Sequence, residues 1–355
     1  MDIVRKSPTT TDPKTKPTGQ TRVGRDGSRW FWLLIAIAAL GVVVVVSLAV
    51  GSRNIGLGVV FEALVNPDGT DQHLVIRELR VPRTLLGLLV GAAFGVAGAV
   101  IQALTRNPLA DPGILGVNAG AAFAVVLGVS LLGVTRIHQY LAFGFIGAIA
   151  ATLLVYGIAS RGIGGATPLR LTLVGVALSA VLNGLSSGLA MLDIDTFNRM
   201  RFWGVGSITD RPPGTVTAIV VFIAVGLAIA LLCAVPLNAM SLGEDTARSL
   251  GIPTGVVRAV CVVAVTLLCG AATAAVGPIG FIGLMVPHVV RWLTGPDQRW
   301  IIPFSMILGP ILLLVADIAG RLVVWPAELQ VGVVTAFIGA PVLIFLVRRT
   351  RASGL

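Results

Sequence analysis

The sequence predicts an all-α, polytopic membrane protein. Apolar runs recur along its whole length, 55% of the chain is hydrophobic against 12% charged, and the mean hydropathy is +0.94. A water-soluble chain of 355 residues could not cover so much apolar surface. Runs of about 20 residues match a bilayer core of about 30 Å. They are too long for barrel strands, and helices pair their own backbone groups, so helices are the spanning elements.

Read in order, the candidate spans are 31–50, 84–104, 113–134, 140–160, 171–192, 214–236, 257–276, 279–294, 300–322 and 330–348, about ten in all. The eighth is short and opens at Gly277-Pro278. Residues 1–29 are polar, rich in Thr and Pro, and carry seven Lys and Arg, which predicts a disordered basic cytoplasmic tail. Residues 30–350 then form a single transmembrane domain, and 351–355 a short C-terminal end. The first run is too long for a signal-peptide core and is read as a retained span. With the N-terminus inside, 17 of the 26 Lys and Arg lie in cytoplasmic segments and nine outside. The positive-inside rule therefore places both termini in the cytoplasm. The net charge of +10 reads as a topology signal with attraction to the membrane surface, not as a nucleic-acid patch.

The residues that would carry enzyme chemistry are sparse. Cys233, Cys261 and Cys269 fall inside apolar spans without CxxC spacing or a His cluster, so they read as small buried hydrophobes rather than metal ligands. The only lysines, Lys6, Lys14 and Lys16, lie in the tail, which leaves no P-loop. No catalytic residue is assigned. Two classes remain: an ion-coupled secondary transporter, or a membrane subunit driven by a partner. Coupled transporters use carboxylates or histidines within the membrane. Here nine of the ten spans lack Asp and Glu. Asp317, one turn before Arg321, reads as a local pair, and His288 beside Pro287 as a hydrogen-bonded packing residue.

Between the sixth and seventh spans stands "SLGEDTARSLG", Ser241 to Gly251, followed by Pro253. Ser241 and Glu244 have capping-box spacing, and Gly251 suits the left-handed residue beyond a helix end. A short helix over 242–250 is expected, with coupling elements within 241–255. Leu242, Gly243, Ala247 and Leu250 supply small and apolar groups, and Glu244, Asp245 and Arg248 supply charge. Two acids with one Arg do not suit a lipid surface, so a rigid knob for a cytosolic protein is expected. At the other end, Arg80 and Arg83 flank Pro82 at a helix start, where cations are unfavourable by about 0.3–1 kcal/mol each. Their presence asks for a reason beyond helix stability, and snorkelling to interfacial phosphates is one.

These residues meet a family. "LGEDTARSLG" resembles the coupling-helix motif of permease subunits of ATP-binding-cassette importers for iron–siderophore, haem and cobalamin. "RVPRTLLGLLVGAAFGVAGAVIQALTRNPLADPGILGVNAGA" (81–121), "RFWGVGS" (201–207), "GPIGFIGLMVPHVVR" (277–291) and "ELQVGVVTAFIGAPVLIFL" (328–346) resemble further blocks of that family in the same order. The resemblance covers about residues 31–350. It implies the ten-span permease fold of the type II importers in a bacterial cell membrane, with no cofactor in this chain. The implied partners are a second permease, two cytosolic ATP-binding subunits carrying ATP and Mg, and an external binding protein. Leu242, Gly243, Glu244, Asp245, Ala247, Arg248, Leu250 and Gly251 would couple to the ATPase. Arg80, Arg83 and Arg321 would dock the binding protein, and Asn107 and Leu109 would form the cytoplasmic gate. The implied substrate is a ferric siderophore, with cobalamin or haem as alternatives.

Within the spans, Gly91 and Gly95 form a small-residue ridge, and Gly332, Ala336 and Ala340 another. Pro341 is expected to bend or break the last helix.

Overall fold

The computed structural model describes residues 23–51, 54–134, 137–161, 167–192 and 194–352; residues 1–22, expected to be tail, lie outside the described residues. Among the described residues every regular element is a helix. α1 spans Val23–Ala49, so it begins inside the stretch expected to be unstructured. Trp30 meets Trp300 edge-on at 5.2 Å and the Arg29 guanidinium lies 5.8 Å from that ring's centre, which gives this first turn tertiary contacts. Two short helices follow, α2 (Leu57–Val65) and α3 (Asp71–Leu74). One π-helical segment, Val75–Arg80, leads without a break into α4 (Val81–Thr105).

A 3₁₀ turn at Pro112–Leu115 precedes α5 (Val117–Leu132), α6 (Ile137–Ser160) and α7 (Pro168–Leu192). Then come α8 (Ile194–Trp203), α9 (Thr215–Leu232), α10 (Ala234–Ser241) and α11 (Glu244–Ser249). The chain closes with α12 (Thr254–Val276), α13 (Ile282–Thr294), α14 (Gln298–Val323) and α15 (Val331–Ala352). Among the described residues seven helical stretches are long and apolar enough to cross a membrane; with α5, the short α13 and the apolar stretch Val331–Phe345 of α15 they account for the ten expected spans.

α4 is the hub. It packs along α14, α13 and α12, with α9 beside them, while α5, α6 and α7 form an adjoining layer. The packing follows from its small residues, which let backbones approach closely. A Cβ on Gly91 would sit 2.5 Å from the Pro310 backbone, and one on Gly98 would sit 1.9 Å from the Gly283 carbonyl oxygen. The ridge expected on the last span is only partly used. Gly332 lies against Val205, but Ala340 is exposed. Nor does Pro341 break α15, which continues through it. All three cysteines are free and buried.

α14 defines two ends. Its start abuts α10, where Asn238 Nδ2 donates to Asp297 Oδ1 at 2.6 Å and Asn238 Oδ1 accepts from the Gln298 amide at 2.8 Å. Asp317 lies about 30 Å further along, at 1.5 Å per residue, beside Arg83. The Glu244 and Arg80 segments therefore occupy opposite ends of the bundle.

Candidate functional site

At the Glu244 end the chain makes a short helical knob. The expected capping box is absent. Ser241 is the last residue of α10 and its hydroxyl donates to the Asn238 carbonyl at 2.6 Å, so it is already engaged in the turn behind it. Gly243, at φ +120°, instead precedes α11 and makes the corner between the two helices. The far end closes as expected: Gly251 has φ +79°, its amide donates to Arg248 O, and the Ile252 amide donates to Ala247 O. That pair of bonds is a Schellman closure.

Glu244 is the knob's electrostatic centre. Its carboxylate accepts from Arg248 at 2.8 Å, from Arg258 at 3.3 Å and from the Thr254 hydroxyl at 3.3 Å. Burial works against its charged form, but Arg258 and Arg248 outweigh it and hold the carboxyl below its ordinary range. Asp245 is exposed, with Arg248 at 4.0 Å. The apolar surface differs from the expectation. Leu242 and Leu250 are 68% and 62% exposed, whereas Ala247 is fully buried and forms the inner wall of the knob. In a six-residue helix one face must pack against the body, and Ala247, the one apolar residue of α11, occupies that face.

The loop after α4 turns at the same end. Arg106 adopts φ +51°, Asn107 Oδ1 accepts from the Leu109 amide at 3.0 Å, and Asp111 Oδ1 accepts from the Gly113 amide at 2.8 Å. Asn107 is exposed and Leu109 half-buried.

The Arg80 end holds a cavity of about 730 Å³ lined by Arg80, Arg83, Tyr140, Trp203, Arg211, Arg321 and Glu328, among others. The three expected docking arginines meet here, but not as an exposed rim. Arg80 and Arg321 are 6% and 2% exposed. Arg80 Nη1 donates to the carbonyls of Leu48 and Ala49 at 2.7 and 2.8 Å, and Arg321 Nη1 to those of Ser47 and Val50 at 2.8 Å each. These are the acceptors that the end of α1 leaves without intrahelical partners, and cations suit a helix C-terminus. Thus the cost of cations at the start of α4 is offset at the end of α1. Asp317, 1% exposed, pairs with Arg321 as expected and also with Arg83 Nη2 at 2.7 Å. Arg83 Nη1 reaches Glu328 at 2.6 Å. No local spacing signals a contact across 234 residues. His288 departs from the hydrogen-bonded packing role expected of it. Its ring meets Trp292 edge-on at 4.9 Å, and its Nδ1 has no hydrogen-bond partner.

Comparison with known proteins places this architecture. Residues 37–349 match the FecCD transport family. The chain is 50% identical over 322 residues to the ferric enterobactin transport system permease protein FepD of Escherichia coli (strain K12), covering 91% of this chain and 94% of that one. It is 38% identical to a siderophore transport system permease protein of Bacillus subtilis (strain 168), YfiZ, over 91% of this chain and 97% of that one. A solved structure described as an inward-facing conformation of a metal-chelate type ABC transporter superposes with a TM-score of 0.80 at 28% identity, covering 90% of this chain and 99% of that one.

Proposed function

The chain belongs to the FecCD transport family, and from there we propose that it is the membrane-spanning permease of an ATP-driven importer that carries a ferric siderophore inward. The similarity to a ferric enterobactin permease, sustained over nine-tenths of both chains, supports the substrate class. ATP hydrolysis belongs to two cytosolic partner subunits, a second permease completes the pathway, and an external binding protein delivers the chelate. Both termini and the Glu244 end face the cytoplasm, in keeping with the charge asymmetry of the connecting segments.

In this reading the knob is the ATPase contact. Leu242 and Leu250 present the apolar surface, Asp245 and Arg248 its charged border, and Gly243, Glu244, Ala247 and Gly251 hold its shape. A force applied there reaches the spans through α10 and α12, against which the knob is braced, and through α10 to the start of α14. Asn107 and Leu109, at the same end, form the gate. At the opposite end the binding protein docks around the cavity, where Arg83 and Glu328 border the opening and Arg80 and Arg321 fix the end of α1 beneath it. Uptake of a labelled ferric siderophore by cells lacking their own permease, supplied with this chain and its partners, tests the proposal. Uptake competed by unlabelled ferric siderophore supports it; transport of haem or cobalamin in its place overturns the substrate.

A further inference from the structure

Gln102 stands in the last turns of α4 and is 3% exposed. Both ends of its amide are engaged. Oε1 accepts from Arg291 Nη2 at 2.5 Å. Nε2 faces three carbonyl oxygens, those of Gly283 at 3.1 Å, Leu284 at 3.3 Å and Ala110 at 3.3 Å. One donor on one side and three acceptors on the other fix which way the amide points.

The Gly283 carbonyl explains why an amide is needed. In a regular helix it would accept from the N–H four residues on, but that residue is Pro287, which has none. Water has no room to serve instead. A Cβ on Gly98 would sit 1.9 Å from that oxygen, and one on Gly283 would sit 2.9 Å from Pro112 Cδ. Gln102 thus supplies the donor that Pro287 withholds, at the point where α4, α13 and the loop after α4 converge. Ala110, its third acceptor, belongs to that loop, three residues beyond Asn107.

An amide nitrogen carries two hydrogens. It can serve Ala110 together with one α13 carbonyl, or both α13 carbonyls and not the loop. We infer that Gln102 is a positioning residue that holds the Asn107–Leu109 loop in register with α13, and that its exchange between Ala110 and the Gly283–Leu284 carbonyls is where the loop is released. Only the consequence for transport rests on the importer reading; the holding of the loop does not.

Spin labels on Pro108→Cys and Trp292→Cys, both exposed positions, report the loop-to-α13 distance in the full chain in nanodiscs, since the native cysteines are buried. The parent should give one narrow distance distribution. Gln102→Met, which keeps the volume and loses the donor, should broaden it and lower the melting temperature by a few degrees, because the buried Gly283 carbonyl loses its partner. Gln102→Glu keeps an acceptor for Arg291 but not the donor, and at pH 8 should broaden it likewise. Arg291→Met keeps the donor and should leave it narrow. In the assembled importer, Gln102→Met should lower substrate moved per ATP by about tenfold, as expected for one buried hydrogen bond lost. An unchanged distribution in both Gln102 variants overturns the inference, as does broadening confined to Arg291→Met. Failed transport by the parent itself, with its narrow distribution intact, would count against the importer reading instead.

Discussion

Asp317 on α14 accepts from Arg83 on α4 at 2.7 Å and also pairs with Arg321 one turn away, so two guanidiniums share one carboxylate and Glu328, on Arg83, supplies the second negative charge. It is 1% exposed. Removing one member of such a group leaves buried charge uncompensated, at a cost of about 3–5 kcal/mol. Asp317→Asn should therefore lower the melting temperature of the purified protein sharply and reduce its yield in the membrane. A midpoint within a degree or two of the parent would show that the cluster contributes little.

The knob separates packing from contact. Ala247→Glu buries a carboxylate in its fully enclosed wall and should unfold the segment, so loss of activity there says nothing about docking. Leu242→Asp with Leu250→Asp changes two exposed side chains and should leave the melting temperature within about 0.5 kcal/mol equivalent of the parent. Co-purification of the ATPase should fail in the double variant. Retention of the ATPase at parental levels would move the contact elsewhere.

Glu244 gives the knob a pH dependence of definite sign. Its folded carboxyl is held below the ordinary value of 4.5, so its stabilising effect is present above that pH and fades as pH falls through and below it. Glu244→Gln should cost about 0.5–1 kcal/mol at neutral pH, given its partial exposure. Protease nicking at the knob, followed against pH, should be faster in Glu244→Gln at pH 7, with the gap narrowing as pH falls below 4.5 and the folded carboxyl takes up its proton. A constant gap across that range would mean that the carboxylate's charge is not what braces the knob.

Gly98 tests the hub. A methyl group there would press on the Gly283 oxygen, a backbone atom that cannot swing aside as a side chain could. Gly98→Ala should cost about 1–3 kcal/mol, as overpacking does. Gly41→Ala, on an open face of α1 where nothing lies within 4 Å, should be neutral or slightly stabilising. Equal melting temperatures for the two variants would refute close approach at Gly98.

The spans were readable in the sequence because each needs many consecutive apolar residues, and no soluble element imitates that signal. Small residues at four-residue spacing likewise announced α4 as a packing surface. Of the side-chain contacts, the local Asp317–Arg321 pair was readable and the long-range ones were not. Arg80 looks like a cation in search of a partner until the end of α1 is seen beside it, 31 residues away in the chain at Ala49, and nothing local announces that Arg321 reaches Val50, 271 residues away. Ser241 has the spacing of a cap, yet the preceding helix claims it. Ala247 shares a helix face with residues that point outward, and only the packing of a six-residue helix shows that it turns in. Gln102 carried one legible signal, a single amide within an otherwise small and apolar run. The Pro287 that gives it purpose lies in another helix.

Proteoliposomes holding this chain, its partner permease and the ATPase, with the binding protein loaded with ferric siderophore outside and ATP within, test the energy source directly. Uptake should require ATP, and a protonophore should leave its initial rate unchanged. Uptake that persists without ATP and collapses with the protonophore would make the chain an ion-coupled transporter and contradict the importer.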